Sequence, residues 1–133
     1  MSIRELTKAE EEIMRVLWQL KKGFVKDVLA ELPETGRNDE SGLPAKPAYN
    51  TVSTIIRILE KKGLVGYTAY GKTHEYYPLI SEEEYRRFQT EQLMANYFDN
   101  SLKKLVSFFV QDKNISLNEA DEIIKLLNKQ KDQ

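Results

Sequence analysis

The stretch Ala48-Tyr49-Asn50-Thr51-Val52-Ser53-Thr54-Ile55-Ile56-Arg57-Ile58-Leu59-Glu60-Lys61-Lys62-Gly63-Leu64 decides how this chain is read. Val52, Ile55, Ile56 and Leu59 recur at i, i+3, i+4 and i+7, one face of an α-helix, so the spacing predicts a helix over about 48–62. Lys61-Lys62-Gly63 closes it, because cations suit the negative helix end and glycine suits the left-handed position beyond. The opposite face carries Asn50, Ser53, Thr54, Arg57 and Lys61, with Tyr49 and Thr51 in the first turn. Short polar side chains leave a helix narrow enough for a major groove about 12 Å wide. Asn, Ser and Thr offer hydrogen bonds to base edges, and Arg57 can reach a guanine or a phosphate. An ordinary solvated helix face is the alternative, since every surface helix has a polar side.

C-terminal to this helix the period changes. LVGYTAY (64–70) and HEYYPLI (74–80) are rich in β-formers and flank Gly71-Lys72-Thr73, which predicts a hairpin. Pro78 has no amide proton for a ladder, so it belongs at a strand end or edge. Lys72 and His74 fall at or beside the tip, where a wing would meet the DNA backbone or minor groove; a solvated turn lysine and a surface strand histidine are the alternatives. Tyr67, Tyr70, Tyr76 and Tyr77, on alternating strands, suit covering a core or a sheet face better than stacking on bases.

On the N-terminal side, Thr7-Lys8-Ala9-Glu10 is a capping box opening a helix over about 7–21, with Ala9, Ile13, Val16, Leu17 and Leu20 on its buried face and Lys21-Lys22-Gly23 as its stop. Phe24 makes a brief extended step. Val25, Val28, Leu29 and Leu32 predict a short second helix that Pro33 ends. Residues 33–47 (PETGRNDESGLPAKP) read as a loop.

Beyond the hairpin, Ser81-Glu82-Glu83-Glu84 is a second capping box. It opens a helical pattern of nearly thirty residues with a break expected near Asp99-Asn100-Ser101. Asp112-Lys113-Asn114 closes that pattern. Ser116-Leu117-Asn118-Glu119 opens a final helix with Leu117, Ala120, Ile123, Ile124 and Leu127 inward and a frayed tail, Lys129–Gln133. Phe88, Met94, Phe98, Leu102, Leu105, Val106 and Phe109 form a long apolar stripe. Leaving it wet would forfeit about 1.5–3 kcal/mol per large side chain, so a second copy of the chain is expected to cover it.

Composition excludes more than it identifies. With 133 residues, 41% hydrophobic and 31% charged, the chain is long enough for one folded domain with an appendage. It has no cysteine and one histidine, which removes disulfides, thiolate zinc sites, cysteine catalysis, a His-rich metal cage and a two-histidine active site. No cofactor, metal site or catalytic residue is expected, and Glu10, Glu84 and Glu119 are better explained as helix starts. The formal net charge of −1 does not advertise nucleic-acid binding, although residues 41–80 hold five basic side chains against two acidic ones. No apolar run is long enough to span a bilayer and Met1–Leu6 lacks a signal-peptide core, so a cytoplasmic protein is expected.

Helix, helix, helix, hairpin is the winged-helix order. Leu6-Thr7-x-Ala9-Glu10-x-x-Ile13-Met14-x-x-Leu17-Trp18 resembles the opening helix of the BlaI/MecI/CopY penicillinase-repressor family. The likeness continues through Ala48-Tyr49-Asn50-Thr51-Val52-x-Thr54-x-x-Arg57-x-Leu59-x-x-Lys62-Gly63-Leu64 and Tyr70-Gly71-Lys72-Thr73-His74-Glu75-Tyr76-Tyr77-Pro78, and so spans essentially the whole chain. The resemblance implies a dimeric repressor that binds an inverted-repeat operator, often of antibiotic-resistance genes, with Asn50, Thr51, Ser53, Thr54 and Arg57 facing DNA. Copper-sensing relatives end in a cysteine cluster that this chain lacks. Penicillin-responsive relatives are cut by a membrane sensor metalloprotease at an Asn-Phe bond. The matching stretch here is Leu105-Val106-Ser107-Phe108-Phe109, with Phe108 in place of Asn. The 33–47 loop looks longer than the family's.

The expectations are therefore a mainly α protein with a small β-hairpin wing. Residues 1–80 form a winged helix-turn-helix domain that binds DNA, and residues 81–133 a helical dimerisation domain. The expected DNA-facing set is Tyr49, Asn50, Thr51, Ser53, Thr54, Arg57, Lys61, Lys72 and His74. The expected function is a homodimeric transcriptional repressor released by cleavage at Phe108-Phe109. A winged-helix module that binds protein without DNA is the alternative.

Overall fold

The computed structural model describes residues 5–38, 42, 45–112 and 115–131. Met1–Arg4, parts of the 33–47 loop, Lys113, Asn114, Asp132 and Gln133 lie outside them, so the readings made on those positions do too. Among the described residues the order is α1 (Lys8–Leu20), α2 (Val25–Glu31), α3 (Tyr49–Lys61), β1 (Val65–Tyr70), β2 (Thr73–Pro78), α4 (Glu82–Tyr97), α5 (Leu102–Gln111) and α6 (Leu117–Lys131). The fold is mainly α with a two-stranded hairpin, the winged helix-turn-helix arrangement followed by further helices.

α1 starts as the capping box requires. Thr7 Oγ1 accepts from the Glu10 amide at 3.1 Å, and Glu10 Oε1 accepts from the Thr7 amide at 3.0 Å. Its stop differs from expectation: Lys21, not Gly23, takes the positive φ of 73°. Gly23 is needed for closeness instead. It exchanges two backbone hydrogen bonds with Tyr76, and a Cβ there would sit 3.3 Å from Asp27 Cβ. That bridge lays the Gly23–Phe24 step along β2 as a one-residue third strand. Ala9, expected inside, is exposed, while Met14 is fully buried.

α3 ends as its sequence demands. Gly63 takes φ +80°, the Leu64 amide donates to Leu59 O, and the Gly63 amide to Glu60 O, which together make a Schellman cap. Leu64 and Leu59 are both buried, so the cap also points the chain into the core. The hairpin loop is two residues, Gly71-Lys72, with Thr73 already paired to Tyr70. Gly71 alone of the two has positive φ (64°), as a type II′ turn requires. Pro78 pairs with Val65 at the strand end, where no amide is missed.

The core draws Ile13, Met14 and Leu17 from α1, Val28 from α2, Val52, Ile56 and Leu59 from α3, Val65 from β1 and Tyr76 from β2. Tyr85, in the first turn of α4, is buried with them; its ring lies 5.5 Å from that of Trp18, whose indole N–H donates to Ile80 O. The chain divides into compact units Met1–Phe88 and Gln89–Gln133.

In the second unit the break falls where expected: α4 stops at Tyr97, and Asp99 and Asn100 take positive φ (51° and 59°). Asp and Asn tolerate that region better than other side chains. Ser101 Oγ then caps α5 by accepting from the Lys104 amide, and Lys104 Nζ meets Asp99 Oδ2 at 2.5 Å. That hydrogen bond and the lysine charge hold the Asp99 carboxyl below its ordinary value. α6 continues through Lys131, so Lys129–Lys131 are helical rather than frayed. Leu117, Ile124 and Leu127, expected inward, are exposed in the single chain.

Candidate nucleic-acid interface

α3 presents the expected face. Val52, Ile56 and Leu59 anchor it to the core, Ile55 packs partly against them, and Tyr49, Asn50, Thr51, Thr54, Arg57 and Lys61 are exposed. Ser53 is half-buried. The helix is clamped at both ends. Lys62, just past its C-terminus, donates to Glu10 Oε2 of α1 at 2.6 Å. At its N-terminal approach, Lys46 Nζ donates to Leu29 O and Ala30 O at the end of α2. Thr35 and Arg37 hydrogen-bond with Ala45, which ties the two sides of the 33–47 loop together.

Glu10 is a buried charge, 4% exposed. Burial pushes its carboxyl up, but hydrogen bonds from Lys62 and from the Thr7 amide and hydroxyl outweigh this, and the group lies below the ordinary glutamate value.

The hairpin stacks aromatics on one face. Tyr67 and His74 lie parallel with ring centroids 4.2 Å apart, and Tyr76 meets His74 edge-on at 6.0 Å. On the other face Gly66 leaves room for the Tyr77 ring, which a Cβ would strike at 2.9 Å. Tyr70 packs against Phe24.

These elements enclose a groove of about 360 Å³. One wall is Phe24 and Lys26 at the start of α2, and the second is Tyr49, Ser53 and Arg57 of α3. The hairpin supplies Lys72, His74 and Tyr76. Five of the nine expected residues therefore converge on one groove: Tyr49, Ser53, Arg57, Lys72 and His74. Asn50, Thr51, Thr54 and Lys61 stand on the exposed surface of α3 outside its lining. Its lining holds three cations and no carboxylate, in a chain with 21 acidic and 20 basic residues.

The sequence reading missed Lys26 and Phe24, and took Tyr76 for a core or sheet residue only. Tyr76 is in the core, yet it also lines the groove. Burial, and secondarily the Glu60 carboxylate, raises its phenol above the ordinary tyrosine value, while the positive charge of Arg57 pulls the other way. No signal along the chain marks Lys26; the Gly23–Tyr76 bridge and the Phe24–Tyr70 ring contact bring the start of α2 against the wing. Among the described residues no cluster of three His, Asp or Glu could hold a metal, and no helix is long and apolar enough to cross a membrane.

The chain is similar to known proteins along nearly its whole length. Residues 6–129 match the penicillinase repressor family. The chain is 24% identical over 129 residues to the penicillinase repressor of Bacillus licheniformis, covering 97% of this chain and 94% of that one. It is 25% identical over 125 residues to the methicillin resistance regulatory protein MecI of Mammaliicoccus sciuri, covering 94% of each. Among solved structures, the DNA-binding domain of the repressor BlaI aligns at a TM-score of 0.49 and 27% identity over 63% of this chain and 92% of that domain.

Proposed function

Because the chain belongs to the penicillinase repressor family, whose members are transcriptional repressors, we propose that it represses transcription as a homodimer bound to an inverted-repeat operator. In this reading α3 enters the major groove. Asn50, Thr51 and Thr54 face base edges; Tyr49, Ser53, Arg57, Lys72 and His74 line the adjoining groove; and Lys61 lies toward the backbone. The observation that carries it is the acid-free groove between α3 and the hairpin, a cationic concavity in a chain of net charge −1. The two relatives named above are tied by name to penicillinase and methicillin resistance, and the proposed targets are resistance genes of that kind, regulated in the cytoplasm.

The C-terminal helices are the proposed dimer interface. Phe88, Met94, Phe98, Leu105 and Val106 are only half-buried, Leu102 and Phe109 are exposed, and Leu117 is 86% exposed. α5 has no fully buried residue, so a covering partner would bury further apolar surface there. Release is proposed to follow cleavage by a membrane sensor metalloprotease at Phe108-Phe109. Both side chains are exposed, with rings 5.6 Å apart. The bond lies inside α5, so cutting requires local unfolding of that helix.

A gel-shift with the DNA upstream of its own gene tests the assignment. Retardation at low salt, weakening as salt rises, is expected; no retardation at low salt would leave the protein-binding alternative. Incubation with the cognate sensor protease and mass spectrometry tests the cleavage, and an intact chain under inducing conditions would refute it.

A further inference from the structure

We propose that His74 meets a backbone phosphate as the imidazolium, so that DNA binding takes up a proton at the wing and weakens as pH rises through the histidine range. The inference rests on the DNA-binding reading above and adds a regulation to its groove.

His74 is the one histidine of the 133 residues. It lies in β2, just past Lys72 of the hairpin loop, and lines the groove between α3 and the hairpin. Its ring is held on two sides. The Tyr67 ring from β1 lies parallel to it with centroids 4.2 Å apart, and Tyr76 meets it edge-on at 6.0 Å. Across the ladder it faces the small Ala69. Among the described residues no hydrogen bond engages either ring nitrogen, and no side-chain nitrogen is buried without a partner. The stack therefore fixes the plane of the ring and leaves its nitrogens for an acceptor outside the protein.

The charges around it favour an anion. Lys26 of α2, Arg57 of α3 and Lys72 of the loop line the same groove, together with the phenols of Tyr49 and Tyr76. The acids on these elements stand outside the lining: Asp27 and Glu31 on α2, Glu60 on α3 and Glu75 on β2. β1 carries no charged residue. Asp27 accepts from the Phe24 amide at 2.9 Å, and Glu75 lies 3.9 Å from Lys22.

A neutral imidazole can give a phosphate one hydrogen bond, whereas the imidazolium has two donors and a positive charge. A phosphodiester keeps its own charge across the histidine range, so it binds the protonated ring more tightly. By linkage, DNA then favours proton uptake and acid favours DNA. A tyrosine face accepts a cation as well as a neutral ring, so the Tyr67 stack survives protonation.

The test is fluorescence anisotropy of the full chain on the duplex from upstream of its own gene, at constant ionic strength. It compares the wild type, His74→Gln and His74→Arg. The wild type is expected to bind at least about threefold more tightly at about pH 6 than at about pH 8. His74→Gln should flatten that difference. His74→Arg should flatten it too, while keeping the tight binding at about pH 8. A slope unchanged in His74→Gln, or no slope in the wild type, would overturn the proposal.

The imidazole Cε1–H resonance, unambiguous in a chain with one histidine, gives a second readout by NMR. Its titration midpoint is expected to rise when the duplex is added. A midpoint that DNA leaves in place would mean that the ring meets no phosphate, even where DNA binds well. Absence of binding at every pH would instead sink the repressor reading, and this role with it.

Discussion

Glu10 does two jobs with one carboxylate. One oxygen closes the capping box of α1, and the other takes the ammonium of Lys62 from beyond the end of α3. The capping role was legible in the sequence. The ion pair had a signal as well, because Glu10 shares one face of α1 with the apolar Ile13 and Leu17. A folded-state value below the ordinary one means that the pair stabilises the fold above the unfolded glutamate pKa. That contribution is lost as pH falls through the folded value. Glu10→Gln should therefore destabilise the protein by about 1–2 kcal/mol at about pH 7, discounted for the partial exposure of Lys62. Thermal unfolding of both proteins at about pH 3 should bring the difference close to zero; a gap unchanged from neutral to acid would disprove the ion pair's part. Periodicity placed Arg57 outward but could not show that it shares a groove with Tyr76 of the hairpin. Arg57→Ala should weaken operator binding by about 1–3 kcal/mol in an anisotropy titration. Unchanged affinity would remove it from the interface.

Helices read well from this sequence where the capping chemistry was local, and less well where a distant element decided the outcome. Lys-Lys-Gly occurs at 21–23 and at 61–63 and ends a helix each time, but through different residues. Gly63 takes the left-handed position because nothing else claims it. Gly23 is claimed by Tyr76, 53 positions along the chain, so the positive φ shifts to Lys21. Gly63→Ala isolates the backbone term, because a Cβ there would meet nothing within 4 Å. It should cost about 1 kcal/mol, the left-handed penalty less the entropy removed from the unfolded chain, read by urea unfolding. No loss of stability would mean that the cap relaxes freely. The inward face of α6 was misjudged for a related reason. Periodicity says which residues share a side, but Leu117, Ile124 and Leu127 find no cover among the described residues of their own chain.

At the scale of the whole molecule, the two units differ in what they bury. The first closes around its own core, whereas the second leaves Tyr97 75% exposed along with Leu102, Phe108, Val110 and Leu126. In the proposed homodimer a second copy covers this surface, with the two-fold symmetry that an inverted repeat requires. The full chain should sediment as a dimer at micromolar concentration. Leu105→Asp, which would place a charge in the proposed interface, should shift it to monomer and weaken operator binding at least about tenfold. A wild type that stays monomeric at that concentration would remove both the interface and the symmetric operator. The fold class and the α3 face were legible because they repeat along the chain. The groove was legible only in part, since α2, α3 and the hairpin meet there through contacts of long sequence separation.

Nuclease footprinting of the full-length protein on the DNA upstream of its own gene tests the central claim most directly. The account predicts two symmetric protected half-sites separated by a whole number of helical turns, about 10–10.5 base pairs each, with both protections lost together in Arg57→Ala. Absence of protection at low salt, or a single unpaired half-site for the wild type, would contradict it.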